Sequence, residues 1–89
     1  MTDFPGKPKS GNKTGIVASA VALASAQHCL SILLTAPVGN SDDVFVGDAT
    51  TQDTPLAPGA NLTLGVDDPS NLFVRSPTGS QTINFLMEI

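Results

Sequence analysis

The sequence has no tryptophan, no tyrosine and only one cysteine, Cys29, among its 89 residues. One cysteine cannot form a disulfide within the chain, and it cannot build a cysteine-ligated metal site. The four phenylalanines of the chain are not interleaved with basic residues in the way typical of a surface on which bases stack. What remains is a short, 40% hydrophobic chain with room for one small domain. A domain of this size has a thin margin of stability and often gains more by oligomerising.

Positive charge is also scarce, and it is concentrated at one end. Residues 1–13 hold three of the four cations, Lys7, Lys9 and Lys13, and carry a charge of +2, whereas the rest of the chain carries −6. An acidic body repels phosphate groups. We therefore expect no nucleic-acid partner.

Groups suited to catalysis are few. The only histidine, His28, lies next to Cys29, but adjacent residues of a strand point to opposite faces and cannot act as a nucleophile and its base. The Gly-x-Ser-x-Gly turn of serine hydrolases is absent from the sequence. We expect a protein that is not an enzyme and that carries no cofactor.

Two acidic pairs, Asp42–Asp43 and Asp67–Asp68, could supply oxygen ligands to Ca²⁺. Neither has the alternating acidic spacing of a calcium-binding loop. Both pairs fall in predicted turns, where aspartate usually bonds to nearby backbone amides. We expect no metal ion.

Residues 1–14 contain two prolines, two glycines and three lysines. This composition predicts an extended basic arm, because it cannot bury enough apolar surface to offset the entropy lost on ordering. A neighbouring subunit or another partner would hold such an arm. Its candidate docking residues are Phe4, Lys7, Lys9 and Lys13.

Residues 15–89 alternate apolar and polar side chains between turn signals, a pattern typical of half-buried strands. The alternation is clearest at Leu62, Leu64 and Val66. Turns are predicted at the Asp67–Asn71 and Ser76–Ser80 segments, which are rich in proline, glycine, serine and asparagine. The pattern predicts an all-β fold, a small β-sandwich or jelly-roll-like domain of about six to seven strands.

Two alternatives concern the uncharged stretch that follows Lys13. Alanine and leucine are strong helix formers, so residues 16–34 could form a helix, although no capping box opens the segment. Residues 16–26 also resemble the apolar part of a signal peptide. Serines within and after this stretch, together with Gln27 and His28, make it too polar for a comfortable membrane span. We expect no membrane association.

The body resembles a small β-domain found in virion proteins of tailed bacteriophages. The resemblance covers roughly residues 14–88, with two opening strands at 14–23 and 29–36. It rests on four segments in a fixed order: Val44-Phe45-Val46-Gly47-Asp48, Pro55-Leu56-Ala57-Pro58-Gly59, Leu62-Thr63-Leu64-Gly65-Val66-Asp67-Asp68 and Asn71-Leu72-Phe73-Val74. Each segment is short, and parts of it are residues common in turns of many proteins. The four segments in this order are more specific than any one of them alone.

The resemblance implies a structural component of a virion, assembled in the host cytoplasm. The function we expect is that of a capsid decoration (cement) protein bound to the major capsid protein or to other virion proteins. We expect a homo-oligomer, with a trimer favoured, and Arg75 is a candidate for an intersubunit salt bridge. The alternatives are a tail, fibre or spike component, and a carbohydrate-binding adhesion module, which the lack of tryptophan and tyrosine weakens.

Overall fold

The computed structural model describes residues 8–89, which form a β-sandwich of two four-stranded antiparallel sheets. The strands are β1 (Pro8–Ile16), β2 (Val21–Ala22), β3 (Ser31–Thr35), β4 (Val44–Gly47), β5 (Thr54–Leu56), β6 (Asn61–Leu64), β7 (Phe73–Arg75) and β8 (Gln81–Glu88). One 3₁₀ turn, Pro69–Asn71, joins β6 to β7. The predicted all-β sandwich is confirmed, with eight strands instead of six or seven.

Each sheet has a simple order. Sheet A runs β1-β8-β3-β6 and sheet B runs β2-β7-β4-β5. The long strand β8 shows why the sequence folds this way, since its residues alternate strictly between buried and partly or fully exposed positions. That alternation places one face of the sheet in the core and the other at the surface.

Residues 16–34 form no helix. The segment holds the end of β1, the short strand β2, an irregular loop and most of β3. Its branched and alternating apolar residues favour extended structure, and packing against the second sheet outweighs the helical preference of its alanines. The helical alternative is therefore wrong. Within residues 8–89 we find no helix with the length and hydropathy needed to span a bilayer.

The core lies between the two sheets. Its fully buried members come from both sheets and from the loops beside them: Ile16, Leu23, Cys29, Ile32, Leu34, Ala36, Val44, Val74 and Ile83. Val17 and Leu30 belong to the apolar stretch of residues 16–34 but lie outside the strands, and they are 43% and 50% exposed. Leu62, Leu64 and Val66 are partly buried and pack against the rim of the core.

Strand β1 contains a bulge that brings Ile16 into the core. Lys13 pairs with Ile83, but Ile16 pairs with Gln81, so β1 has one extra residue between these two pairs. Gly15 adopts φ +66°, a conformation that glycine reaches without steric cost. The extra residue turns the Ile16 side chain inwards, where it is fully buried.

Residues 8–14, which we predicted to be arm, lie in β1 at the edge of sheet A. They pair with β8 from Pro8 opposite Glu88 to Lys13 opposite Ile83. Gly11 lies opposite Phe85, and the Phe85 ring occupies the space where a Gly11 side chain would be. The chain's own last strand thus holds this segment, and a neighbouring subunit is not needed for it.

A partly buried hydrogen-bond network fastens the β3–β4 loop to the start of β8. The Gln81 side chain accepts a bond from the Ser41 amide and donates to the Ser41 hydroxyl and the Thr78 carbonyl. The Asn40 side-chain amide donates to the Thr82 carbonyl and accepts from the Thr82 amide. It thereby makes the two hydrogen bonds that a residue of a neighbouring strand would make. No buried side-chain nitrogen or oxygen among residues 8–89 lacks a partner, so the polar groups in this small core are compensated.

Candidate functional site

The surface best suited to binding is the outer face of sheet A, the face turned away from sheet B. Cross-strand pairing gives it three rows of side chains. The first row is Pro8, Glu88 and Ser31; the second is Ser10, Leu86, Leu33 and Thr63; the third is Asn12, Asn84, Thr35 and Asn61. The face is therefore a grid of hydroxyl and amide groups around two leucines.

Leu33 and Leu86 are at the centre of this grid. They are direct cross-strand partners, and Leu86 is 42% exposed. Two shallow depressions meet at this pair, one towards Pro8 and Thr63 and the other towards Ser10 and Asn84. An apolar centre with an uncharged hydrogen-bonding rim is the usual arrangement of a protein-binding surface.

The outer face of sheet A is also nearly free of charge. Among its described strand residues only Glu88 is ionisable, and Ser31 donates a hydrogen bond of 3.4 Å to the Glu88 carboxylate. The acidic residues lie instead in loops between strands, such as Asp48, Asp53 and Asp68. An acidic partner would meet little electrostatic repulsion at this face, because most of the negative charges of the chain lie elsewhere.

The predicted docking residues separate into two groups. Phe4 and Lys7 lie outside the described residues. Lys9 and Lys13 lie in β1 on either side of Gly11, on the strand face that looks towards the core. Both sit at the open margin of the sandwich, where Lys9 is exposed and donates a 3.2 Å hydrogen bond to the Gln27 side chain.

Arg75 is directed towards its own chain. Its guanidinium lies 4.9 Å from the centre of the Phe45 ring, a cation–π geometry. It also donates a 3.0 Å hydrogen bond to the carbonyl of Gln52. These two contacts stabilise sheet B, and the intersubunit salt bridge remains a prediction.

In the acidic pair Asp67–Asp68, the Asp68 carboxylate stabilises the turn between β6 and β7. Asp68 accepts hydrogen bonds from the amide and hydroxyl of Ser70 at 2.9 and 2.8 Å and from the amide of Gln27 at 3.3 Å. The Ser70 amide is the main reason that the pKa of Asp68 is lowered from its usual value. Within residues 8–89 no three histidine, cysteine or acidic side chains gather in a way that could hold a metal ion.

Cys29 and His28 point in different directions, as expected for neighbouring residues. Cys29 is buried and its Sγ donates to the carbonyl of Val66 at 3.3 Å, while His28 is exposed. Burial raises the pKa of the Cys29 thiol, and the charges of Asp67 and Asp68 raise it further. The thiol is therefore held in its unreactive protonated form.

Sequence reasoning missed the outer face of sheet A. Leu33, Leu86 and Thr63 are the outward half of the same alternating strands from which the core was predicted. A signal was present, since Leu33 and Leu86 are large apolar residues at outward positions. Only the pairing of β3 with β8 shows that these two distant leucines are neighbours.

Comparison of the chain with protein-family models, with curated proteins and with solved structures gave no match.

Proposed function

We propose that this chain is a structural protein of a bacteriophage virion, and specifically a capsid decoration protein that docks through the outer face of sheet A. The observation that carries the proposal is the grid around Leu33 and Leu86, on which Glu88 is the only ionisable residue among the described strands, on an otherwise acidic domain. The resemblance of the four ordered segments to virion β-domains supports the same conclusion.

The mechanism follows from the shape and chemistry of this face. A shell protein would cover the two central leucines, and burial of their exposed area would supply the apolar part of the binding energy. The serine, threonine and asparagine rim would bond to polar groups of the shell and fix the orientation. Repetition over many equivalent sites makes a modest affinity at each one sufficient.

The N-terminal segment adds a second contact. Pro8, the first described residue, lies at the corner of the outer face of sheet A, beside Glu88. Phe4 and Lys7 would extend the contact onto the shell.

A tail, fibre or spike component is the second candidate function, since the outer face of sheet A could bind a neighbouring protein in those assemblies as well.

A substitution at the centre of the face tests the proposal. Leu86→Asp should leave the fold intact, because the side chain is solvent-accessible, but should abolish attachment to purified particles by placing an unpaired charge in the interface. Val38→Asp is the matched control, since Val38 is 85% exposed in the β3–β4 loop, and it should bind normally. Normal particle binding by the Leu86→Asp variant would contradict docking through this face.

Removal of the N-terminal segment tests its contribution separately. Residues 2–7 should be deleted and residues 8–13 kept, because the latter pair with β8. We expect the shortened chain to fold as before and to bind particles less tightly. Unchanged occupancy on the particles would contradict a contribution of residues 2–7 and would leave the outer face of sheet A as the only docking surface.

A further inference from the structure

Strand β6 is one edge of sheet A, opposite β1, and it differs from the other three sheet edges formed by residues 8–89. Edges are normally protected from pairing with another chain by proline, lysine, bulges or short length. β1 has Lys9, Lys13 and a bulge at Gly15; β5 has Pro55 at its centre; β2 is two residues long. β6 has four residues with neither charge nor proline, and its register with β3 is regular.

The backbone of β6 is oriented for further pairing. The Ala36 amide donates to the Ala60 carbonyl and the Ala36 carbonyl accepts from the Gly59 amide, so the Ala60 carbonyl, just before β6, points towards the β3 side. Backbone groups alternate sides along a strand, so the groups of Leu62 and Leu64 point towards β3 and those of Asn61 and Thr63 point away. No strand among residues 8–89 pairs with that outer side of β6.

We propose that a second copy of this chain pairs with β6, antiparallel and about a two-fold axis through Thr63. In this register Thr63 lies opposite the partner's Thr63, and Leu62 lies opposite the partner's Leu64. Core-facing residues then meet core-facing residues, and sheet A becomes an eight-stranded sheet across two copies. Leu62 and Leu64, which are half-buried in the single chain, gain apolar contacts at the junction.

Charge favours the antiparallel direction for a second copy. The acidic turn at Asp67 follows β6 closely, and a parallel partner would bring two such turns side by side. In the antiparallel pair the two copies of Asp67 lie eight residue steps apart, about 26 Å at ~3.3 Å per residue. That separation exceeds the distance of about 8–10 Å over which charges act at physiological salt.

The two-fold axis through Thr63 allows a specific test, because Thr63 of one copy lies opposite Thr63 of the other copy. Thr63→Lys and Thr63→Glu should each weaken self-association by a few-fold to tenfold, since like charges would lie directly opposite each other. An equimolar mixture of the two variants should restore dimers containing one copy of each. Sedimentation equilibrium and native mass spectrometry of the full chain provide the readout. Thr54→Lys, at an exposed threonine on β5, is the matched control and should dimerise like the unmodified chain.

The unmodified chain should have the mass of a dimer at high concentration. A monomer at every concentration would overturn the proposal, and so would a trimer, the state favoured from the sequence. A mixture of the lysine and glutamate variants that forms no mixed dimers would overturn the Thr63 axis. The proposal does not depend on the virion function, because it concerns self-association in solution and needs no particle.

Discussion

Glycine placement can be tested at single residues. A side chain at Gly47 would run into the Thr51 carbonyl of the following loop, whereas a side chain at Gly39 would meet nothing within 4 Å. Gly47→Ala should therefore destabilise the fold by about 1–3 kcal/mol, the usual cost of overpacking, and Gly39→Ala should be close to neutral. Urea unfolding of both variants measures this, and equal stabilities would contradict the loop packing described here.

Two aspartates give the fold a dependence on pH. Asp48 accepts bonds from the amides of Thr51 and Thr50 at 2.8 and 2.9 Å, and these bonds lower its pKa, as the Ser70 amide lowers that of Asp68. A carboxyl group with a lowered folded-state pKa stabilises the fold above its unfolded pKa of about 4, and this contribution is lost as the pH falls through the folded-state pKa.

Thermal melting between pH 7 and pH 2 tests this account. The melting temperature of the unmodified chain should decrease as the pH falls below about 4. The melting temperature of the Asp48→Asn, Asp68→Asn double variant should decrease less over the same pH interval. The exposed Asp53 supplies the control, since Asp53→Asn should follow the unmodified chain. A double variant with the same acid dependence as the unmodified chain would show that these two turns do not matter.

At the scale of strands, the two faces of sheet A should respond differently to the same substitution. Leu34 is fully buried on β3, while Leu86 lies on the outer face of β8 and is 42% exposed. Leu34→Ala should cost about 2–5 kcal/mol, and Leu86→Ala much less. Chemical denaturation compares them directly, and similar losses would mean that the outer face is buried by something else.

Strand alternation made much of this fold predictable. The turn at Asp67–Asn71 lies where the pattern placed it, and the alternation expected of residues 15–89 is regular along β8, where Ile83, Phe85 and Met87 are buried. The extent of β1 did not follow from the sequence, because prolines, glycines and lysines argue against a strand. Residues 8–14 are extended because β8 offers a long partner and because the Phe85 ring packs over Gly11, and neither fact is local to the segment.

The candidate site was less predictable than the core. The lysines stood out by charge, yet Lys9 and Lys13 lie at the margin of the sandwich. Leu33 and Leu86 are 53 positions apart and become neighbours only through the pairing of β3 with β8. Surfaces built from distant strands depend on register, which a single sequence does not reveal.

At the scale of the whole molecule, residues 8–89 form a small sandwich with a nearly uncharged outer face on one sheet and one unprotected strand edge. Both features are surfaces that a lone domain of this size would leave exposed to water. In the proposed assembly, the shell covers the outer face of sheet A and a second copy covers β6. The two contacts lie next to each other, since Thr63 belongs to both.

Quantitative mass spectrometry of purified virions, from the phage that the proposal expects to encode the chain, tests the central claim most directly. The account predicts that the chain copurifies with the shell in a fixed, high copy number relative to the major capsid protein. A few copies per particle would favour the tail or fibre alternative over decoration. Absence from the particles, with the chain remaining in the soluble fraction of the lysate, would contradict the proposed function.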